Sequence, residues 1–275
     1  MSHRRSALRH ASIVAHREEV PLLNASEVTV AYNGALALND ISFKVENGER
    51  IAVVGPNGAG KSTLFKVIAG VLSPTSGKVQ VAGHAPGGHI CIAYLPQRSE
   101  VDWRFPVTVA DVVMMGRYGQ LGFFARPGRE DRDRVRQALA MVGMDALARR
   151  QIAALSGGQQ QRMFIARALA QEAELILMDE PLAGLDMPAQ EQIMAILDQL
   201  REQQVTVMVA THDLNSAAEH FDRLMLLKAR MIGIGRPWEV LTSEHLSEAY
   251  GGHLRLVETE EGLFVLQDTC CGGGH

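Results

Sequence analysis

The chain has few aromatic residues and few cysteines. Aromatic residues make up 5% of its 275 positions, and the three cysteines are Cys91, Cys270 and Cys271. Cysteines at these positions form neither a disulfide framework nor paired Cys-x-x-Cys zinc motifs, so a reducing, cytoplasmic compartment fits the composition best.

Long apolar runs and an excess of basic residues are also missing. A membrane helix needs about 20 consecutive apolar residues, whereas the apolar segments here are interrupted at Asp111, Asp179 and His212. We therefore expect that the chain does not itself cross a bilayer. The formal net charge of -4 argues against a general nucleic-acid binder, because neutralising phosphates requires a basic face.

What is present is the composition of a globular protein, with 47% hydrophobic and 21% charged residues. A chain of this length can bury a sizeable core. Its first residues stand apart, because they contain several arginines and no acidic residue before Glu18. Such a start is compatible with an organelle transit peptide, but nothing else supports targeting, and we predict a disordered basic tail over residues 1–20.

A glycine-rich stretch lies between the apolar residues 51–54 and a helix-like segment, and it reads Gly55-Pro56-Asn57-Gly58-Ala59-Gly60-Lys61-Ser62-Thr63. Glycines let the backbone turn tightly and approach a polyphosphate closely. Successive amide groups and the first turn of the following helix then form an anion site. Lys61 supplies a charge for the β- and γ-phosphates, and the Ser62 hydroxyl can bind Mg²⁺. We predict a phosphate-binding loop for a nucleoside triphosphate with Mg²⁺, and call residues 55–63 the phosphate loop.

A second helix start has similar properties. Ser156 is followed three residues later by Gln159, the arrangement of a capping box, so a helix is predicted to begin at Ser156. Gly157 and Gly158 allow a ligand to approach its exposed N-terminus, which attracts anions. The chain therefore contains two predicted anion sites.

Two predicted buried strands are each followed by polar residues. The apolar residues 175–178 are followed by Asp179 and Glu180, and the strand at 205–210 is followed closely by His212. An aspartate at the end of a central parallel strand suits Mg²⁺ beside a phosphate loop, and the adjacent glutamate is placed to orient or deprotonate water. A lone histidine is usually structural, but one at the end of a strand in a nucleotide-binding sheet is better placed to contact a γ-phosphate.

Two other features leave alternatives open. Tyr32 closes a predicted strand, where its ring could stack on adenine or serve as an ordinary strand aromatic. His84 and His89 lie in a loop rich in Gly and Pro. They have no third ligand nearby, so they are expected to be solvated loop residues rather than metal ligands.

The order of the predicted elements favours an α/β fold. Residues 27–32 and 37–45 have the pattern of a small antiparallel sheet that leads into the strand before the phosphate loop. The block after residue 98 differs, because apolar residues recur there at helical spacing. In the segment 129–142 they fall at i, i+3, i+4 and i+7, with acids in the first turn and Gly143 at the expected C-terminal cap.

Six motifs in order carry a specific resemblance. They are the phosphate loop, Gln97, Leu155-Ser156-Gly157-Gly158-Gln159, Asp179 with Glu180, Ala183-Gly184-Leu185-Asp186, and His212. From about residue 22 to residue 240 the chain resembles the ATP-binding subunit of an ATP-binding cassette (ABC) transporter. The resemblance implies an α/β fold with a P-loop NTPase core, a mostly parallel sheet, an antiparallel β subdomain and an inserted α-helical subdomain.

The resemblance also implies a mechanism in which two subunits face each other head to tail and share two ATP molecules. The phosphate loop of one subunit and the Ser156 helix end of the other clamp each ATP. Glu180 polarises the attacking water, while His212 and Lys61 stabilise the γ-phosphate. The implied Mg²⁺ ligands, direct or through water, are Ser62, Gln97 and Asp179. The implied ATP-binding residues are Tyr32, all of residues 55–63, Gln97, Ser156, Gly157, Gly158, Gln159 and Asp186, the last of which connects the two sites.

The partners implied by the resemblance lie at a membrane. Residues 101–109 and 115–118 resemble those of importers for manganese, zinc or iron. Trp103 and Phe105 are expected to be exposed beside Gln97 and to receive a helix of a transmembrane permease, the alternative being packing within the domain. The family further implies a homodimer on the cytoplasmic face of the cell membrane, peripherally bound, and an extracytoplasmic solute-binding protein as an indirect partner.

The expected domain organisation has three parts. After the tail at 1–20, residues 21–245 form the ATP-binding domain, with the helical subdomain inserted at about 98–170. Residues 246–275 form a partly flexible C-terminal extension. Its Cys270, Cys271 and His275 could bind a metal, although a glycine-rich end is more often disordered.

Other functions are compatible with parts of this pattern. The cargo could be a ferric siderophore or another small solute. A DNA-maintenance ABC protein would carry a long coiled coil, for which the interval from Lys61 to Leu155 is too short, and translation factors generally carry two cassettes. A regulatory module without turnover would not need Glu180 and His212. A GTPase would need an Asn-Lys-x-Asp motif, which the sequence lacks.

Overall fold

The structure is a computed structural model that describes residues 21–86, 91–121 and 126–251, together with the backbone of residues 254–259 and 262–267. The predicted tail at 1–20, His89, Cys270, Cys271 and His275 lie outside the described residues. The strands are β1 (Leu23–Tyr32), β2 (Ala35–Val45), β3 (Arg50–Val54), β4 (Ser76–Val81), β5 (Ile92–Leu95), β6 (Leu175–Asp179), β7 (Thr206–Thr211), β8 (Arg223–Lys228), β9 (Arg230–Gly235), β10 (Leu254–Thr259) and β11 (Gly262–Gln267). The helices are α1 (Lys61–Ile68), α2 (Val109–Met115), α3 (Arg129–Met141), α4 (Gly157–Ala170), α5 (Met187–Glu202), α6 (Leu214–His220), α7 (Pro237–Val240) and α8 (Ser243–Tyr250).

A six-stranded sheet forms the centre of the molecule, in the order β5-β6-β7-β3-β8-β9. Its neighbouring strands are parallel except for β8 and β9, which confirms the predicted mostly parallel sheet. The inner strands are continuous apolar runs because both faces of such a sheet are covered. The register pairs Val54 with Thr211 and Asp179 with Ala210. The carboxyl ends of β3, β6 and β7 therefore meet at one edge.

A smaller antiparallel sheet has the order β2-β1-β4, as predicted from the alternating segments before the phosphate loop. The register pairs Leu23 with both Val45 and Val81, and all three side chains are buried. This sheet therefore contributes one apolar face to the core.

Two apolar cores cover opposite faces of the central sheet. Successive residues of β3 alternate between them: Ile51 and Val53 pack with α1 and the smaller sheet, whereas Ala52 and Val54 belong to the core that includes α4 and α5. This alternation follows from the two-residue period of a strand. The phosphate loop leaves β3 between these two layers.

The helices α2 and α3 pack on α4, in the part of the chain predicted to be helical. Buried Arg117 ties them together: its Nε donates to Asp131 Oδ1 at 3.1 Å and its Nη1 to Glu172 Oε2 at 2.8 Å. Burial raises the pKa of Asp131, but hydrogen bonds from the Gly128 amide and from Arg117 outweigh it and lower this pKa. The network fixes the position of α3 relative to the end of α4.

The end of the chain has more structure than its weak sequence pattern indicated. The helix α8 packs against β8 and β9, and β10 pairs with β11 in an antiparallel hairpin. No helix in the ranges given above is long and apolar enough to span a membrane.

Candidate functional site

The phosphate loop turns sharply between β3 and α1. Gly60 caps α1 with φ 98°, a left-handed conformation that favours glycine. A Cβ on Gly60 would lie 2.4 Å from the carbonyl oxygen of Ala37, and one on Gly55 would lie 2.1 Å from that of Leu227. Glycine is therefore required at both positions by contacts with the neighbouring backbone, in addition to any ligand.

The side chain of Lys61 is held inside this loop. Its Nζ donates to the carbonyl oxygens of Gly55 at 2.6 Å and of Pro56 at 3.0 Å. Burial lowers the pKa of Lys61, while the negative charges of Glu180 and Asp179 raise it. The ammonium group thus faces the two carboxylates predicted from the sequence, and the loop's own carbonyls hold it in place.

Asp179 ends β6 as a buried carboxylate that is 2% exposed. Neither of its oxygens has a partner in good hydrogen-bond geometry within the described ranges, and the same is true of the Tyr94 hydroxyl. Burial raises the pKa of Asp179, the Ser62 hydroxyl and Lys61 oppose that rise, and Glu180 and Glu100 add to it. An unpaired buried carboxylate is costly, and an oxygen pair next to a serine hydroxyl fits a hard divalent cation such as Mg²⁺.

Glu180 has a left-handed backbone, with φ 50°, and its amide donates to the carbonyl oxygen of Ala210 at 2.9 Å. Such a conformation costs a non-glycine residue about 1 to 3 kcal/mol and is typical of functional sites. The Oε1 atom of Glu180 lies 3.7 Å from Nδ1 of His212, whose side chain is 61% exposed. The two side chains are close neighbours without a hydrogen bond between them.

The structure therefore brings together Lys61, Ser62, Asp179, Glu180 and His212, called the catalytic group below. Gln97 lies two residues after the end of β5, and β5 pairs with β6, the strand that ends at Asp179. Tyr32 ends β1 with 47% of its surface exposed, so its ring is available to a ligand.

The remaining predicted residues form a second group around the start of α4. The Ser156 amide donates to Gln159 Oε1 at 3.0 Å, and the Gln159 amide donates to Ser156 Oγ at 3.4 Å, which confirms the predicted capping box. Asp186 caps α5 in the same way, accepting from the Ala189 amide at 3.0 Å. A Cβ on Gly158 would lie 2.8 Å from Cβ of Ala189, so the two helix starts are packed together.

Residues 156–159 of this second group are called the α4 end. Among the described residues, no hydrogen bond or ion pair joins the α4 end to the phosphate loop. Its first turn contains no acidic residue, so nothing there neutralises the positive end of the helix dipole. The two predicted anion sites are thus separate groups in the part of the chain that the structure describes.

The prediction that Trp103 and Phe105 are both exposed is right for one of them. Phe105 is 57% exposed. Trp103 is partly buried: its ring packs edge-on against Phe164 with 5.5 Å between centroids, and its Nε1 donates to the carbonyl oxygen of Arg98 at 3.0 Å. The exposure predicted for Trp103 is wrong because α4 offers an apolar partner that the local sequence does not reveal.

Sequence reasoning also missed three polar residues near the site. Tyr94 lies close to Asp179, and burial together with that carboxylate raises the pKa of its hydroxyl. Arg98 and Glu100 follow Gln97 directly and contact α4 and α1, respectively. The available signal was a pair of opposite charges immediately after the predicted Gln97 motif.

Comparison with known proteins settles the family. The family model described as ABC transporter matches residues 38–183, a segment that includes the phosphate loop, the α4 end and the Asp179–Glu180 pair. The chain belongs to the ABC transporter family. It is accordingly an ATPase, and the nucleotide that this family binds is ATP.

Close relatives extend over most of this ABC protein. The manganese transport system ATP-binding protein MntB of Bacillus subtilis (strain 168) is 47% identical over 84% of this chain and 93% of its own length. The zinc transport system ATP-binding protein TroB of Treponema pallidum (strain Nichols) is 46% identical over 84% of this chain and 88% of its own. A solved metal-chelate type ABC transporter in an inward-facing conformation is 32% identical, with a TM-score of 0.77, over 90% of this chain and 96% of that one.

Proposed function

We propose that this ABC ATPase powers the import of a divalent metal ion or metal chelate, of manganese, zinc or iron, through a separate membrane permease. The observation that carries the proposal is the catalytic group, in which a buried lysine, an unpaired carboxylate and a strained glutamate converge at the ends of three parallel strands. The cargo class is supported by the names of the manganese and zinc relatives.

In this proposal each member of the catalytic group has one role toward ATP. Lys61 binds the β- and γ-phosphates, and Glu180 accepts a proton from the attacking water or orients it. His212, at 3.7 Å from Glu180, contacts the γ-phosphate and that water. Tyr32 stacks on the adenine with its exposed ring.

Mg²⁺ is the cation that the unpaired oxygens of Asp179 support best. Ser62 and Asp179 would hold it, with Gln97 contributing through water. When bound, Mg²⁺ neutralises charge on the phosphates. The cation would also satisfy two buried carboxylate oxygens that have no hydrogen bond in good geometry within the described ranges.

We infer further that two copies of the chain work together, head to tail. The separation of the phosphate loop from the α4 end supports this: each chain has one anion end beside catalytic carboxylates and another without acids in its first turn. In such a pair the α4 end of one copy closes over the ATP of the other, and Asp186 lies between the two sites.

The proposed organisation follows from these roles. Residues 21–245 form the ATP-binding domain, with a helical subdomain at about 98–170 that docks on the permease through a surface including exposed Phe105. A basic tail at 1–20 precedes this domain, and residues 246–275 form an extension that follows it. The chain is then peripheral, on the cytoplasmic face of the membrane. A solute-binding protein on the other side supplies the cargo.

Metal uptake in cells tests the proposal. Cells carrying Lys61→Ala should lose uptake of at least one of Mn²⁺, Zn²⁺ and iron, measured with radioactive isotopes, while Lys78→Ala, at an exposed position on β4, should retain it. Capture of a co-purified permease identifies the partner in the same cells. Unchanged uptake of every metal tested would reject the cargo and leave the ATPase activity standing.

A further inference from the structure

The short turn Arg98–Glu100, directly after Gln97, contacts two helices that are proposed to serve different ATP sites. At one end, Lys66 Nζ on α1 donates to Glu100 Oε1 at 2.9 Å. At the other end, Arg98 donates to Gln160 Oε1 on α4 from Nε at 3.1 Å and from Nη2 at 2.9 Å. The turn therefore spans from the helix of the phosphate loop to the helix of the α4 end.

Hydrogen bonds fix both the side chain and the backbone of Arg98 against α4. Gln160 is only 6% exposed, and its Nε2 is directed to the carbonyl oxygen of Leu155 at 3.4 Å, which leaves its oxygen for Arg98. A guanidinium group that donates twice to one acceptor fixes both distance and orientation. The backbone of Arg98 is held as well, because Trp103 donates to its carbonyl oxygen while packing on Phe164 of the same helix.

The guanidinium group also lies against the α4 end itself. A Cβ on Gly157 would be 2.6 Å from Arg98 Nη1 and 3.0 Å from Leu185 Cδ2, so three motif regions meet at this glycine. A cation at a helix N-terminus is opposed by the helix dipole. Its placement here does not stabilise α4, and it adds positive charge where the partner's ATP is proposed to bind.

We propose that Arg98 is a positioning residue that couples the nucleotide at the chain's own phosphate loop to the position of its α4 end. The inference rests on the proposed head-to-tail pair, in which those two ends serve different ATP molecules. In this proposal Glu100 is the link to the first site, because it pairs with Lys66 on the helix that follows the phosphate loop. The pair between Lys66 and Glu100 is partly exposed, so it contributes little to stability. The two hydrogen bonds from Arg98 to Gln160, called the fork below, are therefore the main connection between this turn and α4.

The fluorescence of Trp103 reports on this connection. The chain contains two tryptophans, and Trp238 is exposed, so Trp238→Phe leaves Trp103 as the only indole. In the full-length Trp238→Phe protein, ATP with Mg²⁺ should change the emission of Trp103. Arg98→Ala should abolish that change and lower kcat by about 10- to 100-fold through misplacement of the α4 end, with the Kd for ATP unchanged.

Matched variants separate positioning from folding and from charge. Gln160→Leu should reproduce the loss, and combining it with Arg98→Ala should add nothing, because the two residues act as one unit. Arg98→Lys keeps the charge but cannot form the fork, so it should also lose the response. Arg132→Ala, at an exposed position on α3, should respond like the parent, and thermal unfolding verifies that each variant is folded.

Three results would overturn the inference: an unresponsive Trp103 in the parent despite bound ATP, a full response in folded Arg98→Ala, or a full response in Arg98→Lys. These are distinct from failure of the proposed function. That failure would be seen in the parent protein, as ATP turnover without any effect on metal uptake.

Discussion

The two helix ends that are predicted to bind anions differ in what surrounds them. At α1, a lysine is folded into the loop and two carboxylates face it, so the site contains the charges that hydrolysis needs. At α4, the serine caps its own helix, the glycines pack against Ala189 and Arg98, and the first turn contains no acid. The comparison teaches that the two ends are suited to different roles: only the first has charged side chains for chemistry, and the second is proposed to complete a phosphate site.

The largest effect should come from removing the proposed base beside the phosphate loop. Glu180→Gln keeps the size of the side chain but cannot accept a proton, and loss of a positioned base lowers a rate by about 10²- to 10⁴-fold. ATP binding should remain, because Lys61 and the loop are intact. Steady-state turnover and ATP binding are measured together, with Glu191→Gln on the exposed face of α5 as control. Near-normal turnover would remove Glu180 from this role.

The α4 end should be almost as sensitive, although it lacks catalytic groups. Gly157→Asp places a negative charge where a phosphate is proposed to bind, and loss of one such stabilising interaction costs about 100-fold in kcat. A Cβ at position 157 would lie 2.6 Å from Arg98 Nη1, so the guanidinium group must shift to admit the new side chain, and thermal unfolding verifies that the variant is folded. The same protein should still bind ATP through its own loop. Loss of ATP binding by the isolated chain would contradict the separation of the two ends.

Replacing Asp179 with asparagine should raise the stability of the fold but impair its function. Burial raises its pKa above the ordinary value of 3.8, so the folded protein holds this proton more tightly than the unfolded chain. Stability is then fully retained below the ordinary pKa and falls as pH rises through the raised pKa. Asp179→Asn avoids this cost, so it should raise Tm at pH 7 by about 2 to 4 °C while losing Mg²⁺-dependent ATP binding. A gain of the same size at acidic pH would contradict the assigned cause.

The smallest effect is expected at Tyr32. The sequence left open whether its ring stacks on adenine or serves as an ordinary strand aromatic. An aromatic contact contributes about 0.5 to 1.5 kcal/mol, so Tyr32→Ala should weaken ATP binding by about 2- to 10-fold. Tyr32→Phe should bind as the parent does, because the ring is retained. Titration with ATP and with GTP measures both variants, and an unchanged Kd in Tyr32→Ala would favour the strand role.

The sequence was sufficient where local patterns decide the structure. The apolar runs of β3 and β6 predicted buried parallel strands, and Ser156 with Gln159 predicted the start of α4, because a capping box involves only neighbouring residues. Gly143 has the positive φ expected after the C-terminus of α3. The order of the motifs was enough to indicate the family before any contact was known.

Contacts between distant segments could not be predicted in this way. The packing of Trp103 on Phe164 and the fork between Arg98 and Gln160 depend on how α4 lies against the loop after β5. The left-handed backbone of Glu180 depends on the hydrogen bond to Ala210 from a neighbouring strand. Nor did the weak pattern near the end of the chain reveal the β10–β11 hairpin.

Complementation between two inactive variants tests most directly that the ends belong to different sites. Lys61→Ala disables the phosphate loop and Gly157→Asp disables the α4 end, so each protein alone should hydrolyse ATP at least about 100-fold more slowly than the parent. In a mixed head-to-tail pair, one site combines the intact loop of the second variant with the intact α4 end of the first. Mixing should therefore restore roughly a quarter of the parental activity, since half of the random pairs are mixed and each has one intact site. Activity no higher than that of the separate variants would contradict the account.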